Sequence, residues 1–197
     1  MKLHSSYYLH QDVVALSRDL LGKFLVTHLN GINTAGMIVE TEAYHGEIDK
    51  ASHAYNHRRT RRTEVMYKKG GILYVYLCYG MHYLTNIVVN EAEIPHAILI
   101  RAIEPTDGVN EMLRRLNKQS ITRCTAGPAL VSKALGIDKS LNAASLSGNV
   151  VFIEDRGVRF SNKQIVAATR IGVEYAGAHA KWKYRFYCKN NPYVSRY

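Results

Sequence analysis

Residues 37–55, MIVETEAYHGEIDKASHAY, restrict the possible folds more than any other stretch of the chain. Branched, apolar Ile38 and Val39 open a strand. Strand side chains alternate between two faces, so Glu40, Glu42 and Tyr44 share one face and Val39, Thr41 and Ala43 the other. Two carboxylates on one face of an apolar strand cost free energy unless partners or a chemical task hold them there. Taken alone, the stretch reads as a solvated edge strand with its polar residues facing out.

The flanking pattern is that of an α+β protein. Asp12 can cap a helix whose apolar stripe is Val13, Leu16, Leu20 and Leu21, with Gly22 ending it. Residues 23–29 read as a strand, and Asn30-Gly31 is a type I′ hairpin signal leading into the carboxylate strand. Residues 45–62 turn polar, with Gly46, Asp49, Asn56 and the run Arg58, Arg59, Arg61 and Arg62. A loop of that length in a compact domain is usually functional or disordered. Gly70-Gly71 opens a strand over 72–79, with Tyr74 and Tyr76 on one face and Leu73, Val75, Leu77 and Tyr79 on the other. Gly80 turns the chain and 83–89 return, which puts Tyr79 at a hairpin tip.

Residues 96–103 form another apolar strand, with Arg101 the one charge inside it. A buried Arg implies a carboxylate partner or an anionic ligand. Thr106 or Asp107 is expected to cap a helix running to Leu116. Gly127-Pro128 opens a second helix through Leu135, closed by Gly136. Further strands are expected at 150–153, 164–169 and 182–188. Without repeats or low-complexity tracts, residues 1–197 read as one domain: a curved, largely antiparallel sheet flanked by helices, with a protruding hairpin.

Charge narrows the partners. The chain carries 26 Lys and Arg against 16 Asp and Glu, a formal +10, which favours polyanions. No basic amphipathic helix with Trp or Phe on its apolar face is evident, so nucleic acid is preferred over a membrane surface. Its 14 Tyr against 4 Phe and 1 Trp suit a surface on which bases stack. No apolar run approaches a membrane span of roughly 18 residues, and the first residues lack a signal-peptide core. Cys78, Cys124 and Cys188 form no CxxC pair. The expectation is a soluble, cytoplasmic, nucleoid-associated monomer.

Three chemical readings compete. Glu40 and Glu42 could be an acid and base pair, since same-face residues two apart on a strand are about 7 Å apart at Cα. Sugar hydrolases, however, usually take their two carboxylates from different elements, and the basic charge does not suit a neutral glycan. His53 and His57, four residues apart, could bind metal with His45 or Glu47, but Asn56 and the adjacent arginines oppose both a helix and a cation, so no metal or other cofactor is expected. The third reading joins the basic loop, the tyrosines and the carboxylate. An enzyme acting on a base must rotate it into a pocket, fill the gap it leaves and activate a water.

The segments VETEAY, ASHAY, LYVYLCYGMHYLTN, LIRAIEP, TAGPALVSKALGI and ATRIGV, with the Arg-Thr loop between them, follow one another in an order that resembles the alkyladenine (3-methyladenine) DNA glycosylase family, in its bacterial form. The resemblance runs from about residue 20 to residue 195. It implies a metal-free, monofunctional enzyme acting on double-stranded DNA that contains damaged purines, hydrolysing the N-glycosidic bond. It implies that Glu42 is the general base and that Arg101 and the backbone carbonyl of Ile171 help hold the water. Tyr44 and Tyr76 would sandwich the flipped base, His53 would contact it, and Asn86 would oppose a guanine 2-amino group. Tyr79 would enter the minor groove, and Arg58 or its neighbours would contact phosphate. The loop over 55–63 is richer in Arg and His than in vertebrate members and lacks their Gly-Gly step, and His82 and Thr85 alter the hairpin. The alternative from another class is a non-catalytic module that binds damaged DNA or other nucleic acid.

Overall fold

Two-residue alternation organises the chain into one antiparallel sheet. The structure, a computed structural model, describes residues 1–196. β1 (Phe24–Leu29) and β2 (Ile32–Tyr44) form a hairpin whose turn holds Asn30 at φ 53° and Gly31 at φ 75°. A type I′ turn needs two successive left-handed residues, and Asn-Gly supplies them at little steric cost. β3 (Ile72–Cys78) and β4 (His82–Val89) make a second hairpin, which β5 (His96–Asp107) joins to β2. The strand order is β3-β4-β5-β2-β1, with β6 (Val151–Glu154) beyond β1. β8 (Arg185–Cys188) pairs with residues 40–42 of β2 and carries β7 (Ile165–Ala168).

β2 is therefore an interior strand, and both Glu40 and Glu42 are fully buried. This overturns the solvated-edge reading. β5 covers one edge of β2 and β8 the other, so the polar face meets protein partners instead of water.

The opposite face carries the core. Val39, Ala43, Leu73, Val75, Ile87, Ile98 and Ile100 pack together beneath the helices. α1 (Val13–Asp19) is capped by Asp12, whose carboxylate accepts the N–H groups of Val14 and Ala15. Its Ser17 exchanges hydrogen bonds with Thr41 of β2. α2 (Val109–Leu116) packs on α3 (Pro128–Leu135), whose Ser132 bonds Thr85 of β4 at 2.8 Å.

Two expected boundaries move. Thr106 and Asp107 are strand residues, not helix caps, because their side chains are engaged elsewhere: Thr106 donates to the Ala35 carbonyl and Asp107 accepts from Arg156. Gly108, at φ 67°, starts α2 instead. Residues 182–184 fall outside β8. There Trp182 ends a 3₁₀ segment (Glu174–Lys181) and stacks on His179, with ring centroids 4.1 Å apart. Among the described residues, no helix is long and apolar enough to cross a membrane.

Candidate active site

One row of paired residues crosses the sheet. Glu42 lies opposite Leu99, Leu99 opposite Asn86, and Asn86 opposite Tyr74. Directly opposed residues of antiparallel strands project to the same side, here the side away from the helices. Tyr44 and Tyr76 lie two residues further along β2 and β3 on that same side, displaced from the row in opposite directions because the two strands run antiparallel. Their strands are three spacings apart, about 14 Å. Between them lies a cleft of about 620 Å³, lined by Tyr44, His53, Tyr76, Asn86, Leu99 and Arg101 among others. That volume suits a small-molecule-sized guest.

Glu42 sits just behind this lining. Its Oε1 accepts the Ile171 N–H at 2.8 Å and faces Arg101 Nη1 at 3.3 Å, and its Oε2 accepts the Tyr44 hydroxyl at 2.7 Å. All three partners line the cleft, whereas Glu42 itself does not. The resemblance implied a role for the Ile171 carbonyl, but the group in contact with Glu42 is the Ile171 amide. Three donors converge on the carboxylate, the arrangement an ionised, acceptor-only group requires.

Arg101 owes its placement to a slip in register. Glu40 pairs with Ala102 and Thr41 with Ile100, which leaves Arg101 as the extra residue on β5. Bulges of this kind re-aim side chains beside functional sites. Here the bulge puts one guanidinium between two carboxylates, with Nε 3.2 Å from Glu40. Burial opposes the Arg101 charge, yet Glu42 and Glu40 outweigh it and hold the pKa above the usual arginine value.

Glu40 also accepts from Arg185 Nη1 at 2.9 Å, the Ser195 N–H at 2.7 Å and the Ser195 hydroxyl at 2.9 Å. Of these donors to Glu40, neither Arg185 nor Ser195 lines the cleft, whereas all three partners of Glu42 do. The two carboxylates therefore do not face the cleft as an acid–base pair, and the contacts of Glu40 are those of a structural anchor.

His53 Nδ1 lies 2.9 Å from the Tyr74 hydroxyl, and its ring meets Tyr76 edge-on at 4.7 Å. Burial, then the charges of Arg62 and Arg58, lower its pKa to about 4, so the imidazole is neutral at neutral pH. Asn86 is held by a bond from its amide to the Tyr74 carbonyl at 3.1 Å. Burial, followed by the Glu42 charge, pushes the Tyr44 hydroxyl well above the usual tyrosine range and keeps it a donor. Tyr79 stands at the hairpin tip, 87% exposed. It is held at φ 50° ahead of Gly80 at φ 72°, a left-handed position rare for an aromatic residue.

Arg58 is exposed, and its side chain makes no ion pair among the described residues. Arg59 is committed to Glu64 and Glu93. Arg62 lies over the Tyr76 ring, 4.7 Å from its centroid. The His53–His57 metal pair does not form, because His57 is exposed at φ 56° outside any regular helix. His45 and Glu47 instead meet His96, and these three are the metal-capable group among the described residues.

Sequence reasoning missed Arg170 and Asp49. Arg170 is fully buried behind Tyr44, with its guanidinium carbon 4.9 Å from the ring centroid. It pairs with Asp49 through two contacts and donates to the carbonyls of Ala43 and His179. The signal available was slight, a single Asp in the loop and the Arg preceding Ile171. Tyr175, which lines the cleft and is 71% exposed, was also missed and carried no pattern to reveal it.

The chain is similar to known proteins over nearly its whole length. A family model described as methylpurine-DNA glycosylase matches residues 7–192. A relative from Natranaerobius thermophilus, named "Putative 3-methyladenine DNA glycosylase", is 43% identical over 197 residues, covering 99% of each chain. Relatives of the same name from Clostridium perfringens strain 13 and Chlamydia abortus are 40% and 44% identical, covering 100% and 95% of this chain and all of their own. An aromatic cleft backed by a buried carboxylate, together with a match spanning residues 7–192, places this chain in the methylpurine-DNA glycosylase family.

Proposed function

We propose that this chain is a monofunctional base-excision enzyme that rotates a damaged purine out of duplex DNA and hydrolyses its N-glycosidic bond with a Glu42-activated water. The observation that carries the reading is Glu42, fully buried at the end of an aromatic cleft and held by three donors that all line it. The relatives are named for 3-methyladenine, and the substrates proposed for this chain are that base and other alkylated or deaminated purines: 7-methylguanine, hypoxanthine and ethenoadenine.

Tyr44 and Tyr76 stack the flipped base from either side. An alkylated purine carries positive charge, and cation–π attraction favours it over a normal base by about 0.5–2 kcal/mol. The guanidinium of Arg62 over Tyr76 supports this, because that ring already accepts a cation. Asn86, on the floor, crowds a purine bearing a 2-amino group. The neutral imidazole of His53 contacts the base edge without repelling its charge.

Hydrolysis needs a water at Glu42. Oε2 accepts one hydrogen bond, from the Tyr44 hydroxyl, and its second lone pair is the one that takes the water. The water oxygen bonds the sugar C1′ and its proton passes to Glu42. The C1′–N bond breaks with its electron pair leaving on the base, so a cationic lesion departs as a neutral purine. Glu42 also stabilises the positive charge developing on the sugar. Tyr79 fills the vacated stack, and Arg58, exposed beside the cleft, takes phosphate. Every group invoked comes from one chain, so a monomer suffices.

The test is single-turnover release from duplexes carrying one 3-methyladenine analogue or one hypoxanthine. The expected product is an abasic site in an uncut strand that breaks only on alkaline treatment. Tight binding to both duplexes with no base released would overturn the enzymatic reading in favour of a damage-binding module.

A further inference from the structure

The base-cleft chemistry leaves one polar cluster unused. His45 and Glu47 begin the loop after β2, and His96 is the first residue of β5. The pairing of Tyr44 with Ala97 sets His45 beside His96, with ring centroids 4.2 Å apart. Gly46 lies between them, and a Cβ there would stand 2.7 Å from His96 Nδ1. Glycine thus lets the loop fold directly onto the imidazole. His96 is 4% exposed. Three atoms, His45 Nδ1, Glu47 Oε2 and His96 Nδ1, are buried with no hydrogen-bond partner among the described residues. Unpaired buried polar atoms are costly singly, and here three belong to one cluster.

We propose that His45, Glu47 and His96 bind a divalent transition-metal ion of the zinc class. Donor atoms of the three residues lie within 4.8 Å of one another. An ion centred among atoms that close is at most about 2.8 Å from each, so each donor moves inward by about 0.7 Å or less to reach a zinc bond of about 2.1 Å. Two imidazole nitrogens and one carboxylate oxygen form a borderline donor set that suits zinc, with a water completing four-coordination. Magnesium, which demands six oxygens, does not suit it. The arginine run that opposes a cation at His53 does not dominate here. The charged neighbours felt by His96 are His45 and Glu47, whereas His53 feels Arg62 and Arg58. A bound ion ties the start of the loop that carries His53 to β5, next to the Tyr44 wall. It takes no part in bond breaking.

The test uses the tag-free, chelator-treated full chain, titrated with Zn²⁺ by calorimetry and with Co²⁺ by absorption, with Mg²⁺ as control. The expected result is one equivalent of Zn²⁺, no response to Mg²⁺, and a cobalt spectrum without a thiolate charge-transfer band. His45→Ala and Glu47→Ala, at half-exposed loop positions, each weaken binding by at least about tenfold, while Cys78→Ser leaves it unchanged. No saturable binding by the unaltered chain would overturn the proposal. So would binding that survives both loop substitutions, or a thiolate band in the wild-type cobalt spectrum. The cobalt spectrum needs no variant, so the proposal stays testable even if a substitution unfolds the loop.

Discussion

Glu42→Gln separates chemistry from architecture because the two carboxylates beside Arg101 are held so differently. Glutamine keeps the size of Glu42 and can still accept the Ile171 N–H, but it presents an amide to the Tyr44 hydroxyl and leaves Arg101 without one charge. Arg101 retains Glu40 at 3.2 Å and is not stranded. The stability loss is therefore about 1–3 kcal/mol, as for one compromised buried hydrogen bond. For a chain of this length that corresponds to about 2–12 °C in Tm. The rate loss is larger. Removing a general base costs about 10²–10⁴-fold, and loss of the negative charge facing the sugar adds to it, so single-turnover release falls by about 10³-fold or more, about 4 kcal/mol in barrier.

Glu40→Gln does the reverse. Its oxygens satisfy Arg101, Arg185 and two Ser195 donors, and neutralising it leaves buried Arg185 without a carboxylate and Arg101 with Glu42 alone. The expected cost is about 3–5 kcal/mol in stability, with base release at a temperature where the variant is folded reduced less than tenfold. The assay is base release from a lesion duplex, with calorimetric Tm and binding affinity measured on the same preparations. Release by Glu42→Gln within tenfold of wild type, with binding intact, would refute the assignment of Glu42 as the base.

Tyr79→Ala is expected to leave Tm within about 1 °C, since the ring is 87% exposed, yet to weaken lesion-duplex binding by at least about tenfold in a polarisation titration. Arg170→Ala should destabilise by about 3–5 kcal/mol in denaturant melts, because it leaves buried Asp49 unpaired and removes the support behind Tyr44. By NMR, His53 should titrate near pH 4, not near 6.5. Its folded pKa is depressed, so between about 4 and 6.5 the unfolded chain binds more protons and the His53 contribution to stability is lost as pH falls through that window. His53→Gln should remove that part of the pH dependence. Asn86→Ala should raise release of 7-methylguanine relative to hypoxanthine in paired single-turnover assays, because the floor then admits a 2-amino group.

The elements that sequence resolved are those set by local chemistry. Asn30-Gly31 fixes a turn by its own backbone preference, Asp12 caps a helix with its own carboxylate, and alternation along Leu73, Tyr74, Val75 and Tyr76 assigns faces wherever the strand finds its partners. The errors arose where long-range pairing decides. Nothing local to VETEAY reveals that β8 and β5 flank β2, so an edge strand was a fair reading of an interior one. Thr106 and Asp107 have good cap chemistry, but their partners, Ala35 and Arg156, are about 70 and 50 residues away in sequence. The same holds at the site. Tyr44, Tyr76 and Asn86, which line the cleft, were singled out through the resemblance. Arg170 went unseen because its role rests on Asp49, 121 residues away.

That distance dependence gives the site its logic. Glu42 is positioned by the Ile171 amide and by Arg101, and Arg101 is shared with Glu40, which is itself held by Arg185 and Ser195. Glu42 is thus held in part through residues that the chain supplies last, from β7 onward. A carboxylate desolvated this fully is costly without its donors, so a half-folded sheet lacking residues 171–195 could not hold Glu42 in this buried position. Docking of that C-terminal segment onto β2 therefore does two things at once: it completes the buried ion network around Glu40, and it brings the Ile171 amide to Glu42 beside Arg101 and Tyr44.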